Sequence, residues 1–509
     1  MSLSFPTMAA IRFGYGLRPG EAPPQTKDDL IGQVMRGTNG VPGFPVGGIE
    51  ARHTAILDLQ DRLKQIRQAD GDDLARRQQR RLLQRRAQVL FQMDANARLM
   101  QAVLSPDGFN ERLAAFWTNH FSTSAAKSLP MRLIVPLYEA EAIRPYMGAK
   151  FATLLRSATE HPSMLIYLDQ AQSLGPDSKG GMQRNKGLNE NLGRELLELH
   201  TLGAGSGYTQ ADVRSAAMVL TGLTVDQQAM ETAFRPQISE PGAHEVLGVS
   251  YGGAKRTRKD YLAMLDDLAV NPKTAEHISR KLAVHFISDQ PPQEMIQAMS
   301  EAWKKTDGEL PAVYRAMLDH PAAWADEGAK ARQPFDFIVT GLRALNSGAG
   351  AGNVAAFMQA YQRDDADNDE MMAMPKKDAA PAADGQAMMQ APPSPEDEAR
   401  IKRRKAFQMA RALGQGALRR MGQPTWLPPS PAGFEESFSA WITASQLSER
   451  LSWARRASAQ FGKDVDPREF LKATLADAAR DETIRVVSQA PNRVSGLTLV
   501  LASPEFNRR

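Results

Sequence analysis

Apolar positions recur at three- and four-residue steps over most of the chain, the spacing that lines one face of an α-helix. Leu57, Leu59, Leu63 and Ile66, then Leu82, Leu83, Val89, Leu90 and Phe91, predict a long helical region over 50–104. A Ser105-Pro106-Asp107-Gly108 turn separates it from a helix carrying NERLAAFWTNHFSTS. There Phe116 and His120 stand one turn apart with Trp117 and Phe121 beside them, which puts the imidazole on an aromatic face. Helical patterning continues over 131–176, where His161 before Pro162 suits a helix N-terminus, and again over 253–346. Trp441, Leu447, Leu451 and Trp453 resume helical packing toward residue 509. The expected fold class is all-α.

The pattern breaks over 364–399, an acidic stretch rich in Pro, Ala and Met with no aromatic residue, which reads as a disordered insert. The chain is therefore expected to form one large multi-helix domain in two parts, 1–363 and 400–509. A basic helix follows the insert, and then an extended Pro-rich segment around Trp426.

The richest chemistry lies between Lys186 and Thr224. Asn189 is a plausible N-cap and Gly203 a plausible C′ residue, enclosing a helix whose Leu188, Leu192, Leu196 and Leu199 form one stripe at 100° per residue. A polar file of Asn191, Glu195 and Glu198 borders that stripe, with Glu190 and Arg194 further round and His200 on the side opposite Glu195. Two carboxylates one turn apart beside a buried stripe need a cation, a proton or an arginine between them. Carboxylate metal sites on bundle helices are built this way, with facing helices completing the shell. The other reading pairs Arg194 with Glu198 at the surface and leaves the file as scaffold. Thr209 and Asp212 form a capping box that opens the next helix, which Gly222 ends.

Charge changes this picture little. Lys plus Arg number 62 against 58 Asp plus Glu, a net +4, so nucleic acid is not an expected partner. The arginine pairs at 76–77, 80–81 and 85–86 read as a solvated helix face. With no cysteine, a metal would have to use His, Asp, Glu or Asn. No apolar run is long enough for a transmembrane helix, and residues 1–21 lack a secretory signal, so the chain as written is expected in the cytoplasm. The trio His277, Lys281 and His285 sits one turn apart on one helix and reads as structural.

Several motifs together resemble a known family. Phe13-Gly14-Tyr15-Gly16, Trp117-Thr118-Asn119-His120-Phe121, His161-Pro162-Ser163-Met164, Gly187-Leu188-Asn189-Glu190-Asn191 and Arg194-Glu195-Leu196-Leu197-Glu198-Leu199-His200-Thr201-Leu202-Gly203 are similar to the bacterial domain-of-unknown-function family 1800. So are Tyr208-Thr209, Leu220-Thr221-Gly222 and the closing Leu501-Ala502-Ser503-Pro504-Glu505-Phe506. The resemblance implies a mostly helical bacterial protein with no established activity. Members are often exported, which makes the periplasm the alternative location, and are often encoded beside a sulfatase-like partner (domain-of-unknown-function family 1501). Aromatic residues can replace His200 in that family, and His-Asp followed by lysine often stands where this chain has His244-Glu245.

The leading expectation is a His/carboxylate site in which His120 acts with Glu195, Glu198 and Arg194. His120, Asn191, Glu195, Glu198 and His161 would be the ligands of a divalent metal, and hydrolysis is the simplest chemistry for them. The alternative is a non-catalytic helical scaffold or accessory protein for the sulfatase-like partner, with the polar file as a buried structural network.

Overall fold

The computed structural model describes residues 3–68, 73–184, 187–325, 328–346, 353–359 and 395–509. Most of the expected insert, 364–394, lies outside these residues, while 395–399 already belong to a helix, Pro395–Leu413. The all-α expectation holds, because helices dominate and the strands among the described residues make only two antiparallel hairpins. Leu223–Asp226 pairs with Glu231–Phe234, and Gly242–Val246 with Val249–Gly253.

Apolar side chains collect into two buried clusters. One runs from Ala9 to Ala323 and adds Trp426. The other is built from Phe335 to Phe506, joined by Tyr15 and by Leu99, Met100 and Val103 of the long helix Asp73–Leu104. That helix thus feeds both cores, Phe91 and Ala95 into the first and its last turns into the second. Leu447 and Leu451, expected to pack, are 43% and 52% exposed, and Trp453 of the same helix carries its burial.

Buried ions pack along the N-terminal part of the molecule and where the two cores meet. Glu139 accepts from Arg98 Nε at 2.5 Å, Arg144 Nε at 3.1 Å and Trp426 Nε1 at 2.7 Å. The same Arg144 forks onto both oxygens of Glu111, at 3.1 and 2.8 Å. Arg112, on Gly108–His120, reaches Asp336 of the helix Pro334–Leu345, which packs in the second core, at 3.0 Å. Charges removed from water persist only when paired this fully.

Among the described residues three segments wind as single π turns, Ala9–Phe13, Glu139–Ile143 and Leu196–His200. A π turn inserts one residue and changes the phase of everything after it. Two of the three carry residues of the site described next.

Candidate functional site

The polar file does not meet His120. The helix Asn191–Glu195 continues into the π turn Leu196–His200, so the 100° step fails after Glu195. Leu197 and His200 become buried and Leu199 only partly so. The cap position falls on Glu190, one residue beyond the expected Asn189, whose Oδ1 accepts from the N–H of Asn191 at 2.9 Å, and Asn191 Nδ2 donates to Leu168 O at 3.4 Å. Arg194 pairs with Glu190 at 3.5 Å instead of with Glu198, which accepts from the Tyr208 hydroxyl at 3.2 Å. Burial, then the neighbouring Glu198, holds Glu195 above the usual carboxylate range, against Arg194. The file is a half-buried surface network.

His120 instead closes a basic cluster under the aromatic face foreseen for it. Its Nε2 lies 3.2 Å from the carbonyl oxygen of His200, to which it must donate, so its buried Nδ1 holds a lone pair without a partner. His200 lies 6.2 Å away, ring to ring, with neither nitrogen hydrogen-bonded among the described residues. His277 Nε2 donates to Leu199 O at 3.3 Å. Burial, then Lys281, pushes His120 well below the usual imidazole range, His200 down to about 3 and His277 to about 4. Burial brings Lys281 itself down to about 8. Its neighbour His285 accepts from Arg112 at 3.3 Å and donates through Nδ1 to Glu436 at 3.0 Å, the structural role read for it. Glu436 is the carboxylate that acts on the basic cluster, favouring protonated Lys281 against its burial.

His161 goes elsewhere. As the N-cap of Pro162–Tyr167 it accepts through Nδ1 from the N–H of Ser163 at 3.1 Å, the capping role its position suggested. That fixes the proton on Nε2, which donates to Glu141 Oε2 at 3.3 Å. The other carboxylate oxygen accepts from Nε2 of His53, on the helix Ile49–Gln68, at 2.7 Å. Glu141 reaches both because it sits in the π turn that ends the helix Met131–Tyr138.

The three line a cavity of about 200 Å³, with Ile56, Ile134, Leu137, Pro162 and Met230 as its apolar wall and Glu231 and Thr232 beside them. Burial alone would raise Glu141, yet the hydrogen bonds from His161 and His53 outweigh it and the carboxyl lies below its ordinary range. Burial dominates at His161 and lowers it despite Glu141, so at neutral pH its imidazole is uncharged. The carboxylate then accepts from both rings. His53 stands 40% exposed, and its Nδ1 has no hydrogen bond among the described residues.

A family model described as a protein of unknown function (DUF1800) matches residues 8–508. The chain is a DUF1800 protein. Comparison with curated proteins and with solved structures returned no match. In this DUF1800 chain no helix among the described residues is long and apolar enough to cross a membrane. Nor is any group of three or more His, Asp and Glu among them placed to hold a metal ion.

Of the residues expected to form the His/carboxylate site, His161 is the one that joins such a cluster among the described residues. His120 gathers His200, His277 and Lys281, while Asn191, Arg194, Glu195 and Glu198 stay in their own surface network. Sequence reasoning missed His53 and Glu141, which lie 88 residues apart. The only local signal was the His161-Pro162 cap, which fixes the tautomer and so requires a hydrogen-bond acceptor at Nε2.

Proposed function

We propose that the DUF1800 chain is a hydrolase-type enzyme whose base is His53, oriented by Glu141, with His161 holding the carboxylate in place. The observation that carries this reading is the 2.7 Å contact between His53 Nε2 and Glu141 on the wall of the 200 Å³ cavity, with Nδ1 of His53 unbonded. An ionised carboxylate only accepts, so Nε2 donates and Nδ1 keeps its lone pair for a water proton. The hydroxyl oxygen bonds to an acyl carbon as the carbonyl π pair moves onto oxygen. When the tetrahedral adduct collapses, the leaving alkoxide takes the proton from Nδ1. Glu141 stabilises the imidazolium in between, the task a buried carboxylate performs behind a catalytic histidine.

The cavity supports a small substrate, being below the range of about 300–1,000 Å³ usual for drug-sized ligands. Its Ile, Leu and Met wall suits a short apolar acyl group. p-Nitrophenyl acetate and butyrate are the probes. Turnover above the buffer rate, lost by about 100-fold or more in His53→Ala with unfolding temperature unchanged, supports the site. Buffer-rate hydrolysis by the wild type, or full activity in the variant, refutes it.

A further inference from the structure

A second cavity, of about 320 Å³, lies between the long helix Asp73–Leu104 and the segment 408–427. It is larger than the proposed catalytic cavity and shares no residue with it. Arg411, Arg419 and Arg420 line it, and no aspartate or glutamate does. Arg420 is committed, donating through Nε to Glu449 at 2.8 Å and through Nη2 to Ala412 O at 3.3 Å. Arg411 and Arg419 have neither an ion pair nor a side-chain hydrogen bond among the described residues, although two guanidinium groups on one cavity repel each other.

The backbone is built to bring them together. The helix Pro395–Leu413 stops at Gly414, and Gln415–Arg420 restarts at once. A Cβ on Gly416 would stand 2.7 Å from the carbonyl oxygen of Arg411, so this close turn needs glycine. Beside the arginines, the buried Oε1 of Gln92 has no hydrogen-bond partner among the described residues. Phe91 and Leu427 give the cavity an apolar side.

We propose that this cavity binds a phosphate-bearing small molecule. Each free guanidinium offers a planar fork of N–H groups that an oxyanion can satisfy. A carboxylate has two oxygens and fills one fork, whereas a phosphate or diphosphate has enough terminal oxygens for both. The amide of Gln92 and the apolar side would hold the remainder of the molecule. Arg411 and Arg419 stand at the exposed mouth of this half-open cavity, and a site of this size in a chain with a net charge of +4 is not a track for a nucleic-acid strand.

The test is calorimetric titration of the full chain with pyrophosphate and with AMP, at matched ionic strength against chloride. Saturable one-site binding is expected, weakened about tenfold or more when Arg411→Gln and Arg419→Gln are combined, as loss of two charge-assisted contacts requires. Arg80→Gln, an exposed change on the long helix outside the cavity lining, leaves binding intact, and matching unfolding temperatures show that all variants fold. Sedimentation with phosphatidylglycerol vesicles, using phosphatidylcholine vesicles as control, distinguishes sources. Vesicle binding displaced by pyrophosphate assigns the phosphate to a lipid headgroup, and its absence assigns it to a free molecule. No saturable heat, equal binding by the double variant, or binding of single-stranded RNA that pyrophosphate fails to displace overturns the proposal.

Discussion

His53 and Glu141 meet at 2.7 Å although 88 residues separate them. A carboxylate behind an imidazole whose second nitrogen is free is an arrangement that can move a proton. Here a helix, a π turn and the cap of a third helix supply it together with His161.

The ion network around Glu139 should govern stability. Removing Arg144 takes from buried Glu111 the arginine that forks onto it and leaves Glu139 with Arg98 and Trp426 alone. Arg144→Ala should cost about 3–5 kcal/mol in urea unfolding. A loss below about 1 kcal/mol would mean that water reaches these groups.

Acid should destabilise the protein through the basic cluster. In the folded state His200 titrates at about 3 and His277 at about 4, below the ordinary imidazole value that an unfolded chain recovers. The unfolded state therefore binds more protons, so stability is complete above about pH 6.5 and falls as pH drops toward the folded values. Each such imidazole contributes a slope of about 1.4 kcal/mol per pH unit in that window. Lys281, which faces these rings, holds its proton through this range. Unfolding temperatures between pH 7.5 and 4.5 should fall less steeply in His200→Phe than in the wild type, and parallel curves would show that His200 is protonated in the fold.

Gly203 carries the chain through φ 92°, and a Cβ there would lie 2.6 Å from His277 Nδ1. Gly203→Ala should destabilise by about 1–3 kcal/mol, the usual penalty for a strained backbone. Chemical denaturation checks this, and an unaffected midpoint would contradict the turn geometry.

The file on Asn191–Glu195 and its π turn should tolerate loss of charge. Burial and Glu198 both disfavour ionised Glu195. Glu195→Gln should leave stability unchanged or raise it by roughly 0.2–0.5 kcal/mol, as relief of like charges does. A fall above about 1 kcal/mol would indicate that a cation held there had been lost.

What the sequence made legible was local. The Thr209–Asp212 capping box and the His161 cap both appear, each specified within three residues. Helical periodicity located most elements, because it reports burial directly. It failed at Leu196–His200, since a π turn leaves no mark in the hydrophobic pattern and rephases the side chains beyond it. The site failed for a different reason. His120 was matched with carboxylates that ordinary helical geometry placed on a suitable face, whereas its partners came from the Pro272–Phe286 helix and from the π turn itself. His53 lay in the 50–104 region, read only as helix, and nothing in its neighbours pointed to residue 141.

The most direct test is Glu141→Gln, assayed on p-nitrophenyl butyrate across pH 5–9. An amide keeps the shape of the side chain but cannot stabilise an imidazolium, so turnover should fall by about 10²–10⁴-fold at every pH with the unfolding temperature within a few degrees of wild type. Turnover equal to that of the wild type would contradict the assignment of His53 and Glu141 as the proton-transfer pair.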